Sequence, residues 1–376
     1  MYSEKLIVVA DARIRISPQA GDTLARHLEY IREFRKIPGY ESCQLVVLQP
    51  SLKILRSEVS CNENLIIEKL SFARIISLRR ILNAKHARTI LIVSGDPSES
   101  FLFARIIKLF LGNSSIPIQV QVHGEYSQAW ARLSLRNRIR RSTAQLFLKS
   151  ADAIRVVTEE QKQYLVEAFS IKSEKIRTIP VRLNQITASI EINREFNPSS
   201  IGLVGRIHKE RNITKFIEIA NFFCKEDLDL EVIVVGGSAR DRKAKKSLKG
   251  IESPNLKIFG HLEGDSLKSA WSRIGVLIST AETESYGRAL REALMNGVPV
   301  LALSSIGSRA LQRECPEAVS LFTQHDSALE IYELFRNLLT SRVPDDFAFN
   351  QRIRDLKVGS QIAISWKDAV ENNRIG

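Results

Sequence analysis

The chain has 376 residues, 44% of them hydrophobic, and a formal net charge of +13. It is longer than the ~250 to 300 residues at which a single core stops growing, so we expect two domains. No apolar run approaches the ~18 residues that span a bilayer, and acids and arginines interrupt the N-terminus where a signal peptide needs an apolar core, so we expect a cytoplasmic protein.

The first half of the chain alternates apolar runs with helix-length stretches. The runs have the continuous apolar character of strands that are buried on both faces, and they are residues 5–10, 43–49, 89–95, 116–124 and 153–158. The stretches at 21–37 and 98–111 are long enough for helices. This alternation predicts a doubly wound parallel sheet.

The second half repeats the pattern after a polar, irregular stretch at 184–198, where we place the domain boundary. Its apolar runs begin near residue 200 and continue at 230–237, 256–260, 275–280 and 298–303. We therefore predict two Rossmann-like units in tandem. Such sheets bind ligands at the carboxyl ends of their strands, where helix N-termini favour anions.

Positive charge is concentrated in the first of these units. Residues 1–182 hold 29 Lys and Arg against 17 Asp and Glu, whereas the rest of the chain is nearly neutral. An anionic partner is therefore expected to meet the first half of the chain.

Two acids flank a predicted helix start in the stretch "ETESYGRALREALMNGVPV". Glu284 lies in the loop after the strand at 275–280, and Glu292 lies within the helix, with Gly297 as its expected C-terminal cap. Eight helical residues would leave the two acids about 80° apart, so they are not a stacked acid pair. One interpretation is two contacts to one ligand, and the other is an Arg288–Glu292 surface pair beside an acid favoured by the helix dipole.

The same stretch resembles the E-x7-E signature of the family-4 retaining glycosyltransferases, because acid, glycine, acid, glycine and proline all fall in register. This resemblance implies an α/β GT-B fold in which two Rossmann-like domains face each other across a cleft. The N-terminal domain would comprise residues 1–183 and the donor nucleotide-sugar domain residues 199–363. The C-terminal helix, residues 364–376, would cross back to the first domain.

Other stretches resemble the family in the same order along the chain. "GLVGRIHKERN" looks like the loop in which an arginine and a lysine bind the donor diphosphate. Arg206 matches the arginine, whereas Arg211 stands at the lysine position and Lys209 is an alternative. The loop near His261 and Leu262 would hold the nucleotide base through backbone groups.

Two stretches of the first half complete the resemblance. His123 ends a predicted strand, where the family places a histidine against the donor sugar; its other interpretation is a hydrogen-bonded histidine at a strand end. Gly21 and Asp22 replace the family's glycine pair in the first loop, although Asp22 can equally be a helix N-cap.

The resemblance thus assigns catalytic and donor-binding roles to named residues. The catalytic set is Arg206, Arg211, Glu284 and His123. The donor-binding set is Gly21, Asp22, Gly205, Lys209, His261, Leu262, Ser285, Tyr286, Gly287, Arg288 and Glu292.

The segment "RLSLRNRIRR" contains five arginines, Arg132, Arg136, Arg138, Arg140 and Arg141. Its helical projection has a narrow apolar stripe of Leu135, Ile139, Ser142 and Leu146. One interpretation is a solvated helix whose stripe packs on the sheet. The other is docking on an anionic membrane surface, where each basic residue contributes ~1 kcal/mol. Nucleic acid is not expected as a partner because aromatic interleaving is missing.

The resemblance implies a transferase without an obligatory metal, and we expect neither a metal nor a cofactor. Four cysteines stand singly, without a CxxC pair, and we interpret them as reduced core thiols; they are Cys43, Cys61, Cys224 and Cys315.

The resemblance therefore implies a retaining, metal-independent transferase that moves a hexose from a UDP- or GDP-sugar to a hydroxyl of a glycan or lipid-linked acceptor. We expect it to act in surface polysaccharide or glycolipid assembly, in the cytoplasm or on the inner face of the membrane. The alternatives are a sugar-nucleotide epimerase on the same fold and a non-catalytic nucleotide-binding module.

Overall fold

A computed structural model describes most of the chain. The described residues are 5–11, 21–51, 59–62, 65–71, 88–183, 199–236 and 246–372. They form two compact units. Unit 1 comprises Met1–Tyr126, Ser134–Pro180 and Leu356–Gly376, and unit 2 comprises Ser127–Leu133 and Val181–Asp355.

Unit 1 is built on an eight-stranded sheet in the order β3-β4-β2-β1-β5-β6-β7-β8. All neighbouring strands pair in parallel except β3, which is antiparallel to β4. The strands are β1 (Lys5–Ala10), β2 (Gln44–Ser51), β3 (Val59–Asn62), β4 (Leu65–Ser71), β5 (Arg88–Ser94), β6 (Ile118–Gln121), β7 (Ala153–Val156) and β8 (Ile176–Thr178). The predicted strand runs of the first half are all present, and β3, β4 and β8 are additional.

The described helices of the first half are α1 (Gly21–Arg35), α2 (Glu99–Leu111), α3 (Gln128–Arg132), α4 (Leu135–Lys149) and α5 (Glu159–Phe169). Several of their N-termini are capped by hydroxyls: Ser134 accepts from the Asn137 amide and Thr158 from the Gln161 amide. Such caps satisfy amides that the helix itself leaves without partners. These two helices, α4 and α5, therefore begin where the sequence supplies a hydroxyl at the end of a loop.

Unit 2 contains a six-stranded parallel sheet in the order β11-β10-β9-β12-β13-β14. Its strands are β9 (Ser200–Val204), β10 (Glu231–Val235), β11 (Leu256–Phe259), β12 (Val276–Ser279), β13 (Val300–Leu303) and β14 (Val319–Phe322). Its helices are α6 (Ile213–Glu226), α7 (Gly264–Arg273), α8 (Arg288–Met295), α9 (Ile306–Glu314) and α10 (Ala328–Leu339). Counted from β9, the order is 3-2-1-4-5-6, which is the doubly wound arrangement.

The last described helix, α11 (Asp345–Asn372), is continuous and contributes to both units. Its residues from Leu356 onward belong to unit 1, where Val358, Ile362 and Trp366 are at most 1% exposed. The Trp366 ring packs edge-on against Phe34 with centroids 5.8 Å apart. The C-terminal helix thus completes the core of unit 1.

The domain limits of the structure differ from the sequence prediction in two places. Residues 127–133 and 181–183 belong to unit 2 rather than to the first domain. The returning segment begins at Leu356, whereas the sequence placed it at 364. The polar stretch 184–198, where we placed the boundary, lies outside the described residues.

Candidate active site

The topology of unit 2 marks one place for a ligand. β9 lies at the centre of the sheet, with β10 on one side and β12 on the other, so the connections after β9 and β12 leave in opposite directions. A crevice opens outside the carboxyl ends of two such strands. The loop after β9 begins at Gly205, and the loop after β12 runs from Thr280 to Gly287.

Two predicted site residues meet at this crevice. Arg211 and Glu284 form an ion pair with 3.2 Å between Nη1 and Oε2, and their side chains are 24% and 19% exposed. The Thr280 hydroxyl also donates to the Arg211 carbonyl at 2.7 Å. A third contact joins Asn212 Nδ2 to Glu282 Oε1 at 3.1 Å. The loops after β9 and β12 are therefore held together by charge and by hydrogen bonds.

The loop after β9 also approaches β10 closely. Gly236 has φ +134°, and a Cβ at that position would lie 1.8 Å from the Gly205 carbonyl oxygen. Glycine is required there by both backbone conformation and space. Arg206, next to Gly205, has an exposed side chain. The side chain of Lys209, the alternative phosphate ligand, lies outside the described residues.

The loop after β12 leads directly into α8, as the sequence predicted. Gly287 adopts the left-handed conformation at φ +74° as N-cap, and the Glu284 carbonyl accepts from the Gly307 amide at 2.6 Å. The helix ends at Met295 with Asn296 as its C-cap, and Gly297 follows with φ +69°, its amide donating to the Leu294 carbonyl at 2.9 Å. The first amides of α8 face this loop, and helix N-termini favour anions.

Glu292 lies inside α8, apart from Glu284. Its carboxylate is 4.0 Å from the Arg288 guanidinium at the i, i+4 spacing. Burial raises the pKa of Glu292, and the nearby Arg288 opposes that rise. The structure is compatible with both interpretations of this acid, because the pair exists and the carboxylate is also held in a partly desolvated position.

The remaining donor-site candidates of unit 2 lie at the same carboxyl edge of the sheet. His261 and Leu262 follow β11, which is separated from β9 by β10. The His261 ring is exposed, and its Nε2 lies 2.9 Å from Glu263 Oε1. Ser285 is half-buried, whereas the Tyr286 side chain is 4% exposed, so Tyr286 presents only its backbone.

In unit 1, His123 follows β6 at the carboxyl edge of the first sheet. Its Nε2 lies 3.0 Å from Gln121 Oε1, which also accepts from Arg155 Nη1 at 3.2 Å. Because arginine only donates, the glutamine atom between them is the oxygen, and His123 therefore carries its proton on Nε2. Although the imidazole has an exposed surface, desolvation and the positive charges of Arg155 and Arg26 lower its pKa well below 6.5. At physiological pH the His123 imidazole is therefore neutral: it donates a hydrogen bond through Nε2–H, but it is not protonated and does not act as an acid.

Gly21 and Asp22 open α1, and their side chains lie outside the described residues. The helix begins at Gly21, so Asp22 belongs to its first turn and does not precede it as an N-cap.

Several polar residues at these sites were not anticipated from the sequence. Arg155 is 2% exposed and also donates to the carbonyls of Ile179 and Pro180. Arg291 is 1% exposed beneath the Glu284 loop. Asp11 and Asp96 are buried at the ends of β1 and β5. An acid directly after an apolar run is a signal that could have identified Asp11, whereas the arginines lie within strand and helix patterns.

The arginine-rich segment differs from its prediction in which side chains are exposed. The stripe residues Leu135, Ile139 and Leu146 are 69%, 56% and 67% exposed, so the interpretation in which the stripe packs on the sheet is wrong. The buried face of α4 carries Asn137, Ala144 and Leu148. Helical periodicity alone does not reveal which face of a helix meets the core.

Three of the five arginines contact the protein, and the weakest of these contacts is that of Arg136, whose Nη2 lies 3.6 Å from Glu99 Oε1 although its side chain is 75% exposed. Arg140 Nε donates to Glu99 Oε1 at 2.7 Å, and Arg141 lies 5.1 Å from the centroid of the Phe169 ring. Arg132, Arg136 and Arg138 are exposed. Of the five arginines that we predicted to meet an anionic membrane surface, Arg140 and Arg141 are therefore only partly exposed, and the membrane contact itself stays a prediction.

The described ranges of the chain contain neither a metal-binding cluster nor a membrane-spanning helix. There, no group of three or more His, Cys, Asp or Glu side chains is placed to hold a metal ion. None of the helices described is both long enough and apolar enough to cross a membrane. Cys43, Cys224 and Cys315 are buried free thiols, and the side chain of Cys61 lies outside the described residues.

Comparison with known families gives two matches that cover successive parts of the chain. The model described as "Glycosyl transferases group 1" matches residues 187–339, and the model described as "Glycosyltransferase Family 4" matches residues 62–181.

Two curated relatives are similar to parts of the chain. A GDP-mannose-dependent alpha-mannosyltransferase of Mycolicibacterium smegmatis is 27% identical over 127 residues, which cover 33% of this chain and 31% of the relative. The GtfA subunit of a UDP-N-acetylglucosamine–peptide N-acetylglucosaminyltransferase of Streptococcus pneumoniae serotype 4 is 25% identical over 230 residues, which cover 57% and 44%. The chain thus spans less than half the length of these relatives.

Solved structures resemble the chain over its whole length. Sucrose-phosphate synthase from Thermosynechococcus elongatus has a TM-score of 0.65 at 14% identity and covers 100% of this chain and 99% of its own. Anabaena HepE in complex with UDP and glucose has a TM-score of 0.64 at 14% identity, with coverages of 98% and 100%. At these identities the likeness establishes the fold, which is the two-domain α/β GT-B fold predicted from the sequence.

Proposed function

The chain belongs to the family-4 glycosyltransferases, and from this premise we propose that it transfers a hexose from a nucleoside-diphosphate sugar to a hydroxyl of a glycan or lipid-linked acceptor, with retention of anomeric configuration. The observation that carries the proposal is the Arg211–Glu284 pair at the crevice of the unit 2 sheet, beside the start of α8. Cations, helix amides and a sugar-binding acid are the groups that a nucleotide sugar requires there.

The proposed reaction exchanges one bond at the anomeric carbon. The bond from that carbon to the diphosphate oxygen breaks, a bond to the acceptor oxygen forms, and the acceptor proton passes to the leaving phosphate. Charge that develops on the diphosphate is stabilised by Arg206, Arg211 and the amides of the α8 N-terminus. Preorganised groups of this kind lower the barrier without a metal ion, so we propose metal-independent transfer.

The ion pair gives Arg211 and Glu284 a shared role in donor binding. A diphosphate carries more negative charge than a carboxylate and accepts bidentate hydrogen bonds from a guanidinium. Donor binding would draw Arg211 toward phosphate and leave the Glu284 carboxylate to accept hydrogen bonds from hexose hydroxyls. We assign the ribose diol to Glu292 and backbone contacts with the base to His261 and Leu262.

His123 is proposed to hydrogen-bond a substrate hydroxyl as a neutral imidazole. Its Nε2–H donates to Gln121, so Nδ1 keeps its lone pair and acts as a hydrogen-bond acceptor. A role as general acid is not proposed, because its pKa is lowered. Gly21 and Asp22 are proposed to approach phosphate or acceptor through their backbone.

The direct test is a panel of UDP-, GDP- and ADP-sugars. We expect one base to raise the melting temperature and one sugar to be turned over, with an α-linked product from an α-linked donor in the proton NMR spectrum. The names of the relatives mention both GDP-mannose and UDP-N-acetylglucosamine, so both bases belong in the panel. Epimerised sugar nucleotide without acceptor would indicate the epimerase alternative. Binding without turnover of any acceptor would indicate a nucleotide-binding module.

A role in surface polysaccharide or glycolipid assembly is proposed together with reversible attachment to the inner face of an anionic membrane. The surface that supports the attachment is the exposed face of α4. There Leu135, Ile139 and Leu146 form an apolar stripe, and Arg136 and Arg138 are exposed beside it. Apolar side chains flanked by cations are the composition of interfacial helices.

A further inference from the structure

A buried arginine lies under the loop to which the donor diphosphate is assigned. Arg291, on α8, is 1% exposed, and its Nε donates to the Tyr286 carbonyl at 3.2 Å. Its guanidinium lies 4.3 Å from the centroid of the Tyr286 ring. One cation thus contacts both the backbone and the side chain of the same loop residue, and Tyr286 itself is 4% exposed.

The rest of the guanidinium is held by two other helices. Nη1 and Nη2 each donate to one oxygen of Glu314, at the end of α9, at 2.7 Å. Nη1 also lies 3.3 Å from Gln351 Oε1 on α11. Gln351 in turn donates to the Tyr286 hydroxyl at 3.3 Å. A bidentate carboxylate fixes the plane of a guanidinium, so Arg291 has a defined orientation toward the loop.

A contribution to folding stability does not by itself explain the burial of the Arg291–Glu314 pair. A buried ion pair is costly to desolvate, and replacing such a pair by apolar residues of similar volume is often neutral or stabilising. Although burial acts in the opposite direction, the hydrogen bonds and charges of Arg291 and Arg354 lower the pKa of Glu314, so the carboxylate is ionised at neutral pH. The remaining Nε–H group is then aimed at a single backbone carbonyl.

The hydrogen bond from Arg291 to the Tyr286 carbonyl also determines where the N–H group of the same peptide points. In a planar trans peptide the N–H group points away from the C=O group, and the described residues contain no cis peptide bond. Because the Tyr286 carbonyl points at Arg291, the Gly287 amide points away from it. A hydrogen bond from a cation to the carbonyl also polarises the peptide and strengthens its N–H as a donor.

A second contact acts in the same way on the Glu284–Ser285 peptide, two peptides earlier in the loop. The Glu284 carbonyl accepts from the Gly307 amide at 2.6 Å, so the Ser285 amide points away from α9. A Cβ on Gly307 would lie 2.8 Å from the Glu284 carbonyl oxygen, so the approach of α9 to the loop depends on glycine. Two of the loop amides are thus oriented by contacts on the protein side of the loop.

We propose that Arg291 is a positioning residue for the donor diphosphate: by binding the Tyr286 carbonyl, it orients and polarises the Gly287 amide at the start of α8. Arg291 does not touch the substrate. The inference rests on the proposed function, since it names how the diphosphate-binding loop of that site is held.

The test replaces the charged pair without leaving a lone buried charge. Arg291→Met with Glu314→Gln keeps similar volumes and removes both charges. Isothermal titration with UDP and GDP, well below the melting temperature, should show a dissociation constant about five- to tenfold higher than that of the wild type, as expected for one lost charge-assisted contact. Should the double variant fold poorly, Arg291→Lys keeps a cation for Glu314 but lacks the Nε–H donor, and it should weaken nucleotide binding in the same direction.

Two matched controls separate positioning from a general loss of stability. Arg354→Met removes another arginine, whose ion pair and hydrogen bond go to Glu314 and not to the Tyr286 carbonyl. Asp355→Asn keeps the volume of a buried side chain that accepts a hydrogen bond from Gln351, and removes only its charge. Both should leave nucleotide affinity within about twofold of the wild type, even where the melting temperature falls.

Unchanged nucleotide affinity in both Arg291 variants would overturn the proposal. Hydrogen exchange of the segment 284–288 gives a readout without any ligand, and it should accelerate in the Arg291 variants but not in Arg354→Met. Wild-type protein that bound no nucleoside diphosphate would remove the proposed function. Unchanged exchange in the Arg291 variants would show separately that Arg291 does not hold the loop.

Discussion

The Arg211 guanidinium lies 3.2 Å from the Glu284 carboxylate, and this contact joins the two loops that leave the centre of the unit 2 sheet in opposite directions. The cation assigned to phosphate and the acid assigned to sugar therefore neutralise each other in part. A diphosphate can bind Arg211 only to the extent that the phosphate oxygens displace the Glu284 carboxylate from the guanidinium.

Glu284→Gln should separate these two roles. Removing the carboxylate charge leaves Arg211 more available, so free nucleoside diphosphate should bind about three- to fivefold more tightly, in line with the ~1 kcal/mol of a half-buried ion pair. The kcat/KM for the nucleotide sugar should fall more than about tenfold, because the hexose loses a charged acceptor. Titration calorimetry and initial rates measure the two effects.

Glu282→Gln is the matched control for that experiment. Glu282 lies in the same loop but accepts from Asn212, not from Arg211. Its effect on nucleotide affinity should be less than about twofold. Equal changes in both variants would argue that net charge, and not the Arg211 contact, controls binding.

Alanine at both Arg206 and Arg211 should lower kcat/KM for the donor by more than about tenfold, since two cations are lost from the departing diphosphate. Lys225→Ala removes one exposed cation from the far end of α6, the helix that follows Arg211, and serves as the control. Donor kinetics equal to those of the wild type in the double variant would contradict the diphosphate assignment.

His123 should remain neutral through the usual range of histidine titration. We expect its NMR signal, assigned by comparison with His123→Gln, not to shift between about pH 5.5 and 8. Its pKa in the folded protein is lowered by desolvation and by Arg155 and Arg26, so the unfolded chain takes up the proton more readily. This residue therefore reduces stability as the pH falls below its ordinary pKa of 6.5, and His123→Gln should lessen that loss.

Arg155→Met should move the His123 titration toward 6.5, because it removes one of the charges that oppose protonation. Arg155→Lys keeps the charge and should move it less. A His123 signal that titrates near 6.5 in the wild type would contradict both predictions.

Membrane attachment should require both kinds of side chain on α4. Co-sedimentation with phosphatidylglycerol vesicles should weaken in Arg136→Gln/Arg138→Gln by roughly thirtyfold, at ~1 kcal/mol for each of the two basic residues, and the binding should fall with added salt. Ile139→Gln/Leu146→Gln should also weaken it. Leu228→Gln is the control, because Leu228 is 79% exposed on unit 2. Equal binding to neutral phosphatidylcholine vesicles would contradict an electrostatic contribution.

Two glycines with positive φ should respond differently to alanine. At Gly236 a Cβ would meet the Gly205 carbonyl oxygen at 1.8 Å, and we expect a loss of more than about 3 kcal/mol or failure to fold. At Gly264 nothing lies within 4 Å, so only the backbone strain of about 1 kcal/mol should appear. Chemical denaturation of both variants checks the difference.

Much of the fold was predictable because buried parallel strands are continuous apolar runs. β8 and β14 were not predicted: each is short, and β8 includes the exposed residue Arg177. The doubly wound order of the sheet, and not the order of the chain, places the loops after β9 and β12 beside each other.

The contacts beneath the site could not be predicted in the same way. The pairing of Arg291 with Glu314 and Gln351 depends on where three helices meet. The relay from Arg155 through Gln121 to His123 likewise crosses from one strand to its neighbour. Neither set forms a local sequence pattern, since helical and strand periodicity report burial and not the partner of a buried charge.

The single helix α11 affects the order in which the protein can fold during synthesis. Unit 1 takes Val358, Ile362 and Trp366 into its core, yet these residues follow the whole of unit 2 in the chain. A ribosome releases the N-terminal part first. The core of unit 1 therefore stays incomplete, with apolar surface exposed, until unit 2 has been synthesised. In this interval the nascent chain is most prone to aggregation and most dependent on chaperones.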